Sequence, residues 1–212
     1  MFVWPYSFLT VATAHQYLIA FMSQIFKAHL DKFIEINEAD FSAVLTFFQT
    51  KNVQKKETLL SEGQVCKFHY FVLTGCLRKF FINDKGIEKT TEFAIENWWI
   101  TDTLAYERRQ PTSFYIQAVE RSEILVIDSA AQERLLIEHP KMERYFRFIY
   151  QRAYAAAQMR MKYLYDYSKE DFYYLLCEAQ PEFVQRIPQY LIASYLGFTP
   201  EYLSEIRNKK RS

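Results

Sequence analysis

Apolar positions change their period twice along this chain, and the changes divide it into three regions. From Ser23 to Phe48 the spacing is helical, with Ile25, Phe26, Leu30, Phe33 and Ile34 followed by Phe41, Val44, Leu45 and Phe48. Asn37, with Glu38 and Asp40 behind it, predicts an N-cap with an acidic first turn. After Asn52 the runs shorten and turn aromatic and β-branched: ETLLSEGQ, FHYFVLTG, CLRKFFIN, IEKTTEFA, FYIQAVE and EILVID. Turn signals such as Glu62-Gly63, Thr74-Gly75 and Asn83-Asp84-Lys85-Gly86 separate them. This spacing predicts a compact antiparallel β-barrel or jelly roll, with its clearest hairpin from Leu77 to Phe93.

Helical period returns at Asp128. SAAQERLLIEHP predicts a short helix, capped by Asp128 or Ser129 and stopped before Pro140. The longest helical pattern then runs from Lys141 to about Tyr165, with Tyr145, Phe148, Ile149, Arg152, Ala156, Met159 and Tyr163 near a coiled-coil repeat. Ala153, Ala155, Ala156 and Ala157 would let another helix approach closely. Such a helix is either buried in a core or the seam of a dimer, and its length and place between two regions favour the seam. SKED at Ser168–Asp171 is a capping box that opens an all-helical third region.

That region ends in ASYLGFTPEYLSEIR, two short amphipathic helices pinched around Gly197. Ala193, Gly197 and Phe198 suit a close helix crossing, Thr199 is placed to cap, and Pro200 fits a first helical position. Leu196, Leu203 and Ile206 then face inward, leaving Glu201, Ser204, Glu205 and Asn208 outward with Tyr202 flanking. Spacing alone fits a DNA-reading helix-turn-helix and an ordinary αα-hairpin equally. The predicted class is α+β; on the helix-turn-helix reading, residues 22–140 carry the barrel, 141–167 are dimerisation helix and hinge, and 168–212 are the helix-turn-helix domain. Residues 1–21 read as an upstream extension, with Met22 the expected start.

Composition narrows the chemistry. Half the residues are hydrophobic and 18% aromatic, so a substantial core is expected. The net charge is +1, so any polyanion contact must be local. From Arg186 onward Arg186, Arg207, Lys209, Lys210 and Arg211 face only Glu201 and Glu205, an excess that a nucleic-acid contact or a solvated tail explains equally well. Cys66, Cys76 and Cys177 lack metal-ligand spacing and suit a reducing cytoplasm, and the four histidines are scattered, so no metal site is expected. Residues 1–26 lack a basic start, and Pro5, Thr10, Thr13, His15 and Gln16 interrupt any membrane span, so no membrane partner is expected. No nucleophile–base pair or phosphate loop gives an enzyme a mechanism.

From about Met22 to Lys210 the chain resembles the Crp/Fnr family of bacterial transcription regulators, in particular the divergent type common in Bacteroidetes. The resemblance rests on LLSEGQ, YFVLTGCLRKFF, the long helix after IEHP, and above all RIPQYLIASYLGFTPEYLSEIRNKK. It implies a cyclic-nucleotide-binding-like barrel, a homodimer about the long helix, double-stranded DNA as ligand, and RNA polymerase as a further partner. It implies that Gln189, Arg207, Lys209 and Lys210 grip phosphate, while Thr199, Glu201, Tyr202, Ser204, Glu205 and Asn208 lie on or beside the reading helix. The glutamates fit such a surface, since a carboxylate accepts from the cytosine amino group.

In members that bind cyclic AMP, a Gly-Glu pair and an Arg-Ser/Thr-Ala motif hold the ligand. Here those positions read Ile100-Thr101 and Pro111-Thr112-Ser113, so glycine, glutamate and arginine are all missing and cyclic AMP is not expected. The N-terminal cysteine cluster of the Fnr type is also missing, which argues against an iron–sulfur cofactor. Trp98, Trp99, Thr101, Asp102, Tyr106, Arg108, Arg109 and Phe114 are the candidates for an alternative effector pocket; aromatics that merely fill the barrel are the competing reading. A second functional class also stands: a ligand sensor whose helical end docks a protein instead of DNA.

Overall fold

The computed structural model describes residues 24–209, so the expected extension and start, and Lys210, lie outside the described residues. Helical residues 24–30 (α1) precede α2 (Glu38–Leu45), which Asn37 caps by accepting the Asp40 amide at 2.8 Å. Eight strands follow: β1 (Gln49–Val53), β2 (Thr58–Leu60), β3 (Phe68–Thr74), β4 (Leu77–Ile82), β5 (Glu88–Ala94), β6 (Trp99–Ile100), β7 (Tyr115–Ala118) and β8 (Ser122–Asp128). A short α3 (Thr103–Arg108) separates β6 from β7. The strands form two four-stranded antiparallel sheets, β1-β8-β3-β6 and β2-β7-β4-β5, the two halves of a jelly roll.

Period-two alternation sorts the first sheet's side chains onto two buried faces. Tyr70, Val72, Ile100, Ile124 and Val126 fill the space between the sheets with Leu60, Leu77, Ile116 and Tyr106. Their neighbours Phe71, Leu73, Trp99, Leu125 and Ile127 turn outward, against Phe26, Leu30, Phe41, Val44 and Tyr145 of the helices. Both faces are covered, which is why FVL and ILVI read as unbroken apolar runs.

α4 (Ser129–Glu138) starts at Asp128, whose side chain accepts the Ala131 amide. α5 (Lys141–Asp166) is buried only at its beginning, through Met142, Tyr145 and Phe146. Tyr145 is wholly enclosed: its hydroxyl accepts the Trp99 indole N–H at 2.7 Å and lies 2.9 Å from His29 Nδ1. The indole can only donate, so the hydroxyl proton is left for the imidazole. Loss of water lowers the His29 pKa to about 4, which keeps that ring a neutral acceptor. The expectation that Tyr145 lies on a dimer seam is therefore corrected: it anchors α5 to its own chain. From residue 151 onward α5 is almost wholly exposed, with Tyr154, Met161, Leu164 and Tyr165 more than half exposed.

The described residues close with α6 (Lys169–Ala179), α7 (Pro181–Arg186), α8 (Gln189–Leu196) and α9 (Pro200–Lys209). Ser168 caps α6 by accepting the Asp171 amide and donating to its carboxylate. Phe172, Val184, Ile187, Leu191, Ile192, Ala193, Leu196, Leu203 and Ile206 form a third core, which also takes in Cys76 and Val119 of the jelly roll.

Candidate nucleic-acid interface and the barrel interior

α8 and α9 are joined through Gly197, whose φ of +78° is the left-handed conformation that ends α8 without a β-carbon penalty. Phe198 donates its amide to the Ala193 carbonyl, and Thr199 Oγ1 accepts the Tyr202 amide at 3.3 Å to open α9. Leu203 and Ile206 are buried at 1% and 0% exposure, which fixes the rotation of α9 about its axis. Glu201, Ser204, Glu205 and Asn208 consequently stand exposed on the outer side. Tyr202 is half-buried against Phe198, and Arg207 is also half-buried. An α-helix carrying polar side chains that no core packing consumes is a form able to enter a major groove.

The expected phosphate-gripping set is altered. Gln189 turns inward: its Nε2 approaches the Val184 carbonyl at 3.4 Å and its Oε1 is buried. Lys209 pairs with Glu170 of α6 at 3.1 Å, which raises the lysine pKa by hydrogen bond and charge. Arg186, counted in the basic excess, is held by Glu96 and Glu120 of the jelly roll. Two groups that periodicity did not single out belong to the same helical end: Lys169, over the Phe198 and Tyr202 rings, and the half-exposed Tyr190 in the first turn of α8. A lysine directly after the capping serine and a tyrosine two residues after Pro188 are signals legible in SKED and RIPQY.

The residues expected to line an effector pocket do not converge. Trp98 is 47% exposed, whereas adjacent Trp99 faces away from the jelly-roll interior into the core under α5. Thr101 is buried, its hydroxyl donating to the Phe68 carbonyl. Asp102 caps α3 through the Ala105 amide and accepts the Thr112 hydroxyl at 2.7 Å, so its carboxylate is satisfied within the chain. Tyr106 is packed in the interior with its hydroxyl on Gln132. Arg108 is exposed, Arg109 pairs with Glu133 at 2.7 Å, and Phe114 packs edge-on against Phe81. Two surface grooves, of about 570 and 480 Å³, run past Ile36 and Lys141 and past Cys66 and Ser129; neither is lined by the tryptophans or Phe114. Among the described residues no cluster of His, Cys, Asp and Glu is placed to hold a metal ion, and no helix is long and apolar enough to cross a membrane.

The long-helix candidates divide in the same way. Phe148 and Ile149 are half-buried, Phe148 beside Phe33. Arg152 stacks its guanidinium 4.5 Å from the Phe33 ring centre, Ala156 is exposed, and Met159 is 45% exposed.

Residues 50–139 match the family model of the cyclic nucleotide-binding domain. No curated protein matches the chain by sequence. Among solved structures, the c-di-GMP-responsive global regulator CLP of Xanthomonas campestris superposes with a TM-score of 0.66 at 12% identity, over 82% of this chain and 92% of that one. FixK2 from Bradyrhizobium japonicum gives 0.63 at 15% identity, over 76% and 83%. A protein from Eubacterium rectale assigned to the Crp/Fnr family of transcriptional regulators gives 0.63 at 15%, over 83% and 84%. The chain thus joins a cyclic nucleotide-binding-type jelly roll to a helical end in the architecture of Crp/Fnr regulators.

Proposed function

We propose that the protein is a DNA-binding transcription regulator that acts as a homodimer. The observation that carries this reading is α9: two buried apolar residues fix it on α8, and its outward positions are polar and exposed. The outer half of α5 supplies the second copy's docking face, where exposed Tyr154, Met159 and Met161 stand among small alanines. Paired about α5, two α9 helices would enter successive major grooves about 34 Å apart and read a two-fold-related site. Glu201, Ser204, Glu205 and Asn208 choose bases, while Arg207, Lys169 and Tyr190 serve the backbone. RNA polymerase is the expected further partner.

The jelly roll acts in this reading as a scaffold without cyclic AMP. Support comes from its interior of packed side chains and from Asp102, a carboxylate occupying the Thr112 hydroxyl. Binding to a pool of random DNA duplexes at low salt, with sequencing of the retained fraction, tests the assignment. A two-fold-related motif is expected. A dimer that retains no preferred sequence defeats it and leaves the protein-docking alternative, in which the Glu201/Glu205 face meets a basic surface.

A further inference from the structure

The helical end is tied to the jelly roll by more than α5. We infer that Arg186 and Ser194 form a latch that holds the helix-turn-helix in one position on the jelly roll, so that two residues remote from the outward side of α9 set where α9 stands.

Three turns of the jelly roll meet at Arg186, the last residue of α7. Its guanidinium donates to both carboxylate oxygens of Glu96, in the β5–β6 turn, each at 2.8 Å. Its Nε donates to Glu120 Oε1, in the β7–β8 turn, at 2.9 Å, and Nη2 also meets that oxygen. Glu96 accepts the Gly75 amide of the β3–β4 turn at 2.8 Å as well. These acceptors are rigidly placed. Gly75 has φ +98°, and a β-carbon there would fall 2.3 Å from Ser122 Oγ, so no other residue fits without displacing that strand. Ser122 Oγ in turn accepts the Cys76 amide and donates to the Glu120 carbonyl. A bidentate guanidinium–carboxylate pair fixes direction as well as distance.

The second contact lies on α8 itself. Ser194 Oγ accepts the Thr90 amide at 2.9 Å and donates to the Glu88 carbonyl at 2.9 Å, bonding backbone groups of β5, an edge strand of its sheet. Between the two polar contacts Phe93 packs on Phe183 and Tyr195, and Arg160 of α5 donates to the Tyr195 carbonyl at 2.6 Å. α8 is therefore held by β5, by α5 and through α7, and α9 follows it across Gly197. Glu201, Ser204 and Glu205 remain exposed in this docked arrangement, so the latch leaves the outward face open. Holding two such units in register spares the ordering cost of binding, since affinity scales with the fraction of molecules already competent.

The latch geometry stands apart from the DNA assignment; its effect on affinity rests on that assignment. The test uses the full chain with Arg186→Gln and Ser194→Ala, each read at the other contact by amide hydrogen exchange without DNA. Arg186→Gln is expected to speed exchange of the Thr90 amide about tenfold, and Ser194→Ala that of Gly75, with the β3–β8 ladder unchanged. Both are expected to weaken binding to the DNA that the unaltered protein enriches by about tenfold. Unchanged exchange at both reporter amides overturns the latch. Faster exchange with unchanged affinity overturns its control of α9. If the unaltered protein enriches no DNA, the proposed function fails while the exchange result still decides the latch. Should Arg186→Gln not fold, Ser194→Ala read at Gly75 decides alone.

Discussion

The jelly roll and the helix-turn-helix place their polar side chains differently. Inside and around the jelly roll, Asp102 takes Thr112, Tyr106 takes Gln132, Thr101 takes the Phe68 carbonyl, and Lys79 bridges Glu92 and the Thr101 carbonyl. Each group satisfies another of the same chain, as burial requires. On α9, Leu203 and Ile206 hold the helix and Lys209 pairs with Glu170, while Glu201, Ser204 and Glu205 stand exposed on the outer side. The first region turns these groups on its own backbone and side chains; the second presents Glu201, Ser204 and Glu205 outward.

Substitutions can break this contrast. The largest effect is expected at Ile116, which is 0% exposed between the two sheets. Ile116→Ala should cost about 2–5 kcal/mol in urea unfolding, because the site cannot collapse around the missing atoms. A loss well below that would mean the interior holds spare volume, and the scaffold reading would weaken. Thr112→Val should cost about 1–3 kcal/mol by stripping Asp102 of its hydroxyl donor, without creating affinity for cyclic AMP in calorimetry. Measurable cyclic AMP binding by either protein would reverse the assignment of the barrel.

Acid should act on the core beneath α5. Burial lowers His29 to about 4 and His69 to about 3, in each case mainly by removing water. Both lie below the unfolded value near 6.5, so the unfolded chain binds more protons between those limits. Stability is therefore complete above about pH 6.5 and is lost as the pH falls toward 4. Tm measured from pH 7 to 4 should fall steadily, and the fall should shrink in His29→Phe. The smallest effect on folding is expected from Glu205→Ala, within about 0.5 kcal/mol of the unaltered protein. Its effect on DNA is expected to be about 1–3 kcal/mol of discrimination, confined to one base pair of each half-site, in a competition assay across all four bases. Equal loss at every sequence would place Glu205 outside base reading.

Much of the fold was legible because local and global signals agree. Asn37, Asp128, Ser168 and Thr199 each cap the helix that their positions predict. Six strands announce themselves by β-branched and aromatic runs. β1 gives no such signal: QTKNV is polar, exposed at four of its five positions, and strand only by pairing with β8. The two-residue β6, α3 and the short α7 are too brief for any period to show.

The limits in the candidate site have a different cause. A helical period says which residues share a face, not which chain covers that face, so Tyr145 looked like a seam and is a core residue. Charge counting located a basic end but could not show that Arg186 and Lys209 find carboxylates on distant segments. The tryptophan pair failed as a pocket by strand geometry. Trp99 begins β6 and is carried to the outer core, while Trp98 precedes the strand and stays half in solvent.

In a Trp4→Phe background, which silences the third tryptophan, that pair gives the molecule a built-in optical contrast. Trp98 should emit at long wavelength and be quenched by iodide, whereas Trp99, bonded to the Tyr145 hydroxyl, should emit to the blue and resist quenching. Two neighbouring indoles would then report separately on the protein's skin and on the joint between its strands and its long helix. Loosening of that joint should appear as a red shift confined to the second of them.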